Sequence, residues 1–220
     1  MKIEHIINTD VLVIGGGVAA TRAALSSAQS EAKTTMVLKK ELGKSGSTNW
    51  PRKGKYGSAW QASDRSGNHL DSPEVHYKDI MSAALGMADA KLAKILSEES
   101  YDRLVELTDW GFELVRNPNN KNSYHKGYSC FASQPRAHGM LANPTGGHTG
   151  NLIEVMSKKL MNYDCDIHEN ITIIDLIVND NKCAGAIGIN KEGEFIKYKC
   201  GSVIIGTGGA AQIFPLSTTP

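Results

Sequence analysis

Gly15, Gly17 and Ala20 stand at the spacing G-x-G-x-x-A, directly after the apolar run Val11-Leu12-Val13-Ile14. Glycine at 15 lets the chain turn sharply where a strand ends. Glycine at 17 carries no side chain, so a pyrophosphate can approach the backbone. Alanine at 20 is small enough for a helix to pack close to the strand. The helix N-terminus, at Val18, Ala19 and Ala20, then offers free N–H groups and a partial positive charge. The chemistry this pattern supports is the binding of a dinucleotide. An ordinary glycine-rich turn gives the same letters, but the position of the motif, after a strand and opening a helix, favours the dinucleotide.

A second group of residues is chemically suggestive. Arg136-Ala137-His138 and Gly147-His148-Thr149-Gly150 lie in a stretch rich in glycine and proline. One reading makes His138 a general base beside Arg136 as an anion clamp. The other makes the stretch a structural loop, with His148 at a helix start. The four cysteines, Cys130, Cys165, Cys183 and Cys200, are scattered without a C-x-x-C pair. Neither a redox dithiol nor a zinc site is suggested, and free thiols in a reducing, cytoplasmic setting are the simplest expectation.

The elements that position the glycines follow from pattern. Residues 11–14 read as a buried parallel strand, 18–29 as a helix and 34–38 as the second strand. At the end of that second strand an acidic residue usually accepts from the adenosine ribose. This chain has Lys39 and Lys40 there. A lysine on the 2′-phosphate of NADP is one reading. A flavoprotein in which backbone groups and a lysine take over is another, and a solvated lysine pair is the third. The next segment, residues 40–48, is polar and built of small residues, with backbone N–H groups and hydroxyls suited to a phosphate or a flavin. Far downstream, residues 202–215 give a second apolar strand ending in Gly206-Thr207-Gly208-Gly209, a place of close backbone approach. Two glycine-marked strand ends, one near each end of the chain, suit an extended FAD lying across one sheet.

Taken together, these segments resemble the flavoprotein subunits of succinate dehydrogenase and fumarate reductase, with their relatives L-aspartate oxidase and adenylylsulfate reductase. Residues 10–20, Lys40 with Ser45-Gly46-Ser47-Thr48, and 203–210 with Ser217-Thr218-Thr219 carry the likeness. It extends over essentially the whole chain but only over the N-terminal part of such proteins. In the family a Thr-Gly-Asp-Gly motif and a capping domain with the catalytic histidine and arginine residues come later. The resemblance therefore implies that residues 1–220 are an FAD-binding domain, truncated, without the capping or substrate domain and the C-terminal part of the FAD domain. It implies an α/β fold of the Rossmann-like, glutathione-reductase type: a parallel sheet, flanking helices and an inserted antiparallel β-meander. It also favours the structural reading of Arg136, His138 and His148, and it leaves the catalytic residues unassigned.

The cofactor-binding set implied is Gly15, Gly17, Val18, Ala19, Ala20, Lys39, Lys40, Ser45, Gly46, Ser47, Thr48, Gly206, Thr207 and Gly208, with Ile173 packing on the adenine end. The Arg-Ser-His-Thr pattern that bonds flavin covalently in membrane-bound succinate dehydrogenases aligns with Lys44-Ser45-Gly46-Ser47. Gly46 cannot form that bond, so FAD is expected to be non-covalent. A dicarboxylate or similar small molecule is the implied substrate of the full-length protein, and an iron–sulfur subunit is an admissible partner.

The middle of the chain reads as organisation. Residues 64–73 form a polar linker, and 74–85 a helix. Asp89 is an N-cap for a long helix over 90–110, with Leu92, Ile95, Leu96, Leu104 and Leu107 as its core positions. Residues 117–123 read as a turn-rich loop and 148–161 as a helix. Residues 171–178, 183–190 and 194–199 read as a three-stranded antiparallel meander, with turns at Asn179-Asp180-Asn181 and Lys191-Glu192-Gly193.

Bulk properties narrow the class. Hydrophobic residues make up 40% and charged residues 21% of 220, with a formal net charge of +1. That composition is typical of globular proteins, and the charge gives no electrostatic case for nucleic acid or an anionic membrane. No apolar run approaches the length of a membrane span, and no signal-peptide pattern precedes the first strand. Three functions remain on the sequence alone: the FAD-binding part of a succinate dehydrogenase/fumarate reductase-type oxidoreductase, an NADP-dependent dehydrogenase, and a non-catalytic flavin-binding fragment.

Overall fold

Four residues in a row, Val11–Ile14, are apolar, and a strand with that composition needs cover on both faces. It obtains it. The computed structural model describes residues 3–44, 46–47, 56–63, 70–141 and 151–216. In chain order these hold β1 (Ile3–Asn8), β2 (Val11–Ile14), α1 (Val18–Gln29), β3 (Thr34–Val37), β4 (Tyr56–Gln61), α2 (Pro73–Ala83) and α3 (Ala90–Asp109). There follow β5 (Arg116–Asn117), β6 (Asn120–Tyr124), β7 (Lys126–Gly127), β8 (Ala137–Leu141), α4 (Leu152–Leu160) and β9 (Cys165–His168). The last strands are β10 (Thr172–Asn179), β11 (Lys182–Ile189), β12 (Phe195–Lys199) and β13 (Ser202–Ile205). The chain divides into two compact units, residues 1–50 with 153–220, and residues 51–152.

The first unit carries a parallel sheet in the order β13-β2-β3-β9. Val11 lies opposite both Ser202 and Thr34, and Thr34 lies opposite Cys165. Helix α1 returns the chain from β2 to β3, and its buried face is Ala20, Thr21, Ala24, Leu25 and Ala28. Three alanines on that face let the helix lie close to the strands. A second sheet, in the order β1-β12-β11-β10, contains the expected meander. Asp180 and Asn181 both take positive φ, 47° and 59°, at its first turn. Such a turn matches the twist of the flanking strands. The core of this unit lies between the sheets: Leu12, Ile14 and Val37 meet Ile171, Ala186, Ile196 and Tyr198.

Strand β1 extends the meander to four strands by pairing in parallel with β12, Ile3 opposite Phe195 and Asn8 opposite Lys199. The expected α/β architecture, with parallel sheet, flanking helices and inserted meander, is thus present.

The second unit holds the helix pair α2 and α3, which pack on one another, the sheet β4-β8-β7 and the hairpin β5-β6. Both helices begin on side-chain caps. Ser72 Oγ accepts from Val75 N–H, with Pro73 at the first turn, and Asp89 Oδ1 accepts from Lys91 and Leu92 N–H. Two sequence expectations fail here. Residues 117–123 are not a plain loop: Arg116–Asn117 and Asn120–Tyr124 pair as a hairpin, and the Arg116 guanidinium lies 4.4 Å over the Tyr124 ring. In α3, Leu104 and Leu107 are core, but Leu92, Ile95 and Leu96 are exposed, Leu92 by 64%. The buried face of that half is Ala93, Ser97 and Ser100, small residues that allow the close approach of another helix.

Candidate functional site

The turn after β2 is locked by three small residues from three elements. Gly15 has φ +122°, and its N–H donates to the Val37 carbonyl at 2.9 Å. A Cβ on Gly15 would fall 2.3 Å from the Gly206 carbonyl oxygen. Gly206 N–H in turn donates to the Ile14 carbonyl at 2.8 Å, and a Cβ on Gly206 would fall 2.7 Å from Ala20 Cβ. The strand ends of β2 and β13 and the first turn of α1 therefore interlock with no room for another methyl group.

Gly17 is different in kind. It is the N-cap of α1 in an extended conformation, φ −82° and ψ −180°, with no side chain to accept from the helix. Its carbonyl accepts from Thr21 N–H at 2.9 Å. A Cβ built there meets nothing within 4 Å. The space in front of the helix N-terminus is open, and the N–H groups of the first turn have no capping side chain to engage them. That is the arrangement an anionic pyrophosphate requires. Gly46, at φ +78°, passes close by: its Cβ would be 3.1 Å from Gly17 Cα. Gly208, at φ +82°, also faces open space.

Of the other sequence-derived positions, Lys39 and Lys40 are exposed just beyond β3, and Ser47 and Thr207 are exposed. Val18 and Ala19 begin α1, beside Gly17. Ile173 is half-buried and packs against the core between the sheets, over Gly188. Ser45 and Thr48 lie outside the described residues, as do His148 and residues 217–219. Gly15, Gly17, Ala20, Gly46 and Gly206 are brought together; Ile173 stands apart from them on β10.

The sequence reading missed the turn between β9 and β10. Leu38 N–H donates to the His168 carbonyl at 2.8 Å, and Ile171 N–H donates to the Leu38 carbonyl at 2.9 Å. Glu169 Oε1 accepts from Leu42 N–H at 2.8 Å. His168 Nδ1 and the Tyr198 hydroxyl are 3.0 Å apart. Burial raises the Tyr198 hydroxyl above its usual range and lowers His168, with Asp166 pulling weakly the other way. The left-handed Asn170, φ +60°, was the available signal, since asparagine after a strand tolerates that conformation.

In the second unit, Arg136 is 1% exposed and fully committed. Its Nε and Nη2 donate to Asp71 Oδ1 at 3.0 and 2.7 Å, and its Nη1 to Asp79 Oδ2 at 2.6 Å. Asp79 Oδ2 also accepts from Ser133 N–H and Oγ–H at 2.8 and 2.9 Å. Burial opposes the charges, but the mutual hydrogen bonds prevail: Arg136 is raised and Asp79 lowered from their ordinary values. A guanidinium held this way is a strut, not an anion clamp. His138 is buried on β8, with Nδ1 3.3 Å from the Trp60 carbonyl. His76, also buried, has no hydrogen-bond partner at Nδ1. Burial lowers its pKa, and the nearby Arg136 charge adds to this.

All four cysteines are free thiols. Among the described residues no three His, Cys, Asp or Glu side chains are grouped to hold a metal ion, and no helix is long and apolar enough to cross a membrane.

Comparison with known proteins agrees with this geometry. Residues 10–220 match the family described as FAD binding domain. The chain is 28% identical over 224 residues to one of the subunits of the fumarate reductase (CoM/CoB) of Methanothermobacter marburgensis, covering 98% of this chain and 38% of that protein. It is 26% identical over 230 residues to the L-aspartate oxidase of Streptomyces coelicolor, covering 97% of this chain and 35% of that one. The Sdh1 complex of Mycobacterium smegmatis in the apo form shares the fold, with a TM-score of 0.82 at 24% identity, over 98% of this chain and 37% of that chain. The chain thus spans well under half the length of these relatives. With the family match running from the residue before β2 to the end of the sequence, the chain belongs to the FAD binding domain family, and FAD is its cofactor.

Proposed function

We propose that this chain is the FAD-binding part of an oxidoreductase that acts on a dicarboxylate or similar small molecule, and that it holds FAD without a covalent bond. The observation that carries the reading is the open space at Gly17, in front of an uncapped helix N-terminus, inside the Gly15–Gly206–Ala20 interlock. Gly17 and the first-turn N–H groups of Val18, Ala19 and Ala20 would hold the pyrophosphate. Lys39 and Lys40 stand at the β3 end, where an adenosine ribose lies in such folds, and Ile173 belongs to the adenine end. Ser45, Gly46, Ser47 and Thr48 would follow the cofactor from the pyrophosphate, with Gly206, Thr207 and Gly208 on the β13 side. Bound FAD supplies the two-electron redox chemistry.

The residues of the chain itself bind and orient. Gly15 and Gly206 fix the turn, and Gly17 leaves room. Gly46 brings backbone against Gly17 and offers no nucleophile for a covalent link. Arg136 is occupied by Asp71 and Asp79, so the substrate carboxylates have no partner in it. We assign substrate binding and acid–base work to parts of the protein beyond these residues, where electron-transfer partners such as an iron–sulfur subunit would also be sought. The membership in an FAD family supports the flavoprotein reading of Lys39 and Lys40 over that of an NADP 2′-phosphate site.

The experiment is acid precipitation of the purified yellow protein. All flavin is expected in the supernatant. Flavin retained on the pellet contradicts the non-covalent reading, and a colourless protein that retains no flavin after incubation with FAD and gel filtration contradicts the assignment of this site.

A further inference from the structure

The segment that crosses the pyrophosphate turn is intrinsically loose. It contains two glycines in left-handed conformations, Gly43 at φ +75° and Gly46 at φ +78°, and such residues lose the most backbone freedom on ordering. Yet it must hold Gly46 against Gly17, where a Cβ would leave only 3.1 Å. Its internal contacts include the Lys44–Glu41 ion pair and the Lys44 N–H bond to the Glu41 carbonyl.

A tie to the sheet comes from the turn between β9 and β10. That turn is rigidly mounted. The His168 carbonyl accepts from Leu38 at 2.8 Å and Ile171 donates to the Leu38 carbonyl at 2.9 Å, so the turn grips the residue after β3 from both sides. The His168 ring is fixed by the fully buried Tyr198. Between these anchors stands Glu169, whose Oε1 accepts from Leu42 N–H at 2.8 Å. A carboxylate bond to a backbone N–H is charge-assisted and stronger than a neutral one. The charged form of Lys44 is favoured first by its bond to Glu41, and Glu169 adds to this.

We infer that Glu169 is a positioning residue for the cofactor. It fixes Leu42 relative to the sheet and so steadies the approach to Gly46, which lies against Gly17. This inference rests on the reading of the Gly17 turn as the FAD pyrophosphate site, and it adds a residue that the glycine motif does not contain. Glu169 acts through Leu42.

The test is made on the intact protein, comparing wild type with Glu169→Ala and Glu169→Gln. Three quantities are read: the FAD dissociation constant by flavin fluorescence, the melting temperature of the apoprotein, and the hydrogen-exchange rate of the Leu42 amide. Glu169→Ala is expected to weaken FAD binding about tenfold, the worth of one charge-assisted hydrogen bond in an exposed loop. It is also expected to speed Leu42 exchange while leaving the melting temperature within about 2 °C, because Glu169 is exposed. Glu169→Gln keeps an acceptor oxygen and should stay within about threefold of wild type. The inference is overturned if Glu169→Ala binds FAD as wild type does, or if Leu42 exchange is unchanged in it. It is equally overturned if Glu169→Gln is as weak as Glu169→Ala, since charge would then matter and the acceptor would not. A wild-type protein that binds no FAD contradicts the proposed function, and Leu42 exchange then still decides whether Glu169 holds the segment.

Discussion

The Gly15 position and the Gly206 carbonyl oxygen are so close that a Cβ on Gly15 would lie 2.3 Å from that oxygen, 191 residues away in sequence but across one turn in space. Gly15 also sits at φ +122°. Both facts separate it from Gly17, whose backbone is extended and whose Cβ position is empty. The two motif glycines thus differ in kind: Gly15 is built into the fold, and Gly17 leaves open the space proposed for the ligand.

Substitution separates those roles. Gly15→Ala combines left-handed strain with a backbone clash and should cost about 3 kcal/mol or more. A melting curve should show it as a drop of about 10 °C. Gly206→Ala meets Ala20 Cβ at 2.7 Å and should destabilise as well. Equal melting temperatures for these variants and wild type would contradict the interlock.

Arg136 gives a second prediction. Removing it with Arg136→Met leaves Asp71 and the half-buried Asp79 without their cation, and should cost about 3–5 kcal/mol in denaturant unfolding. An unchanged midpoint and slope would show that the strut carries nothing.

Acid should act on the same cluster through His76 and Asp79. The folded state lowers His76 below 6.5, so it favours the neutral ring. That contribution is present above pH 6.5 and is lost as pH falls through the lower folded value. Asp79 is also lowered, from 3.8, so its contribution is present above its unfolded value and is lost only in stronger acid. Arg136 stays protonated throughout and adds no slope. Stability measured by denaturant should therefore begin to fall below about pH 6.5, and His76→Phe should remove that first phase while leaving the more acidic one. A wild-type curve flat from pH 7 to 4 would contradict the His76 shift, and one that stays flat on into stronger acid would contradict the Asp79 shift.

Much of the first unit was legible because its signals are local. The apolar run at Val11–Ile14, the glycines behind it and the Asn-Asp turn of the meander each specify a conformation within a few residues. β1 was not, since it is largely exposed and finds its partner β12 about 190 residues away. On α3 the spacing of Leu92, Ile95 and Leu96 shows an apolar stripe but not which face a neighbour covers. The partners of Arg136 lie 65 and 57 residues off, and Glu169 lies 127 residues from Leu42. No periodicity encodes such distances. The candidate site was therefore readable as a strand–turn–helix motif, while the Arg136 ion pairs of the second unit and the Glu169–Leu42 bond of the first appeared only in three dimensions.

The most direct measurement is an FAD titration of wild type and Gly17→Val, with far-ultraviolet dichroism and melting recorded on both. The extended backbone and free space at position 17 let valine fold in place, so the two apoproteins should melt alike. The valine side chain then fills the space reserved for the pyrophosphate, and FAD binding should weaken by at least about a hundredfold, ~2.7 kcal/mol. A folded Gly17→Val protein that binds FAD with wild-type affinity would contradict the placement of the cofactor at this turn.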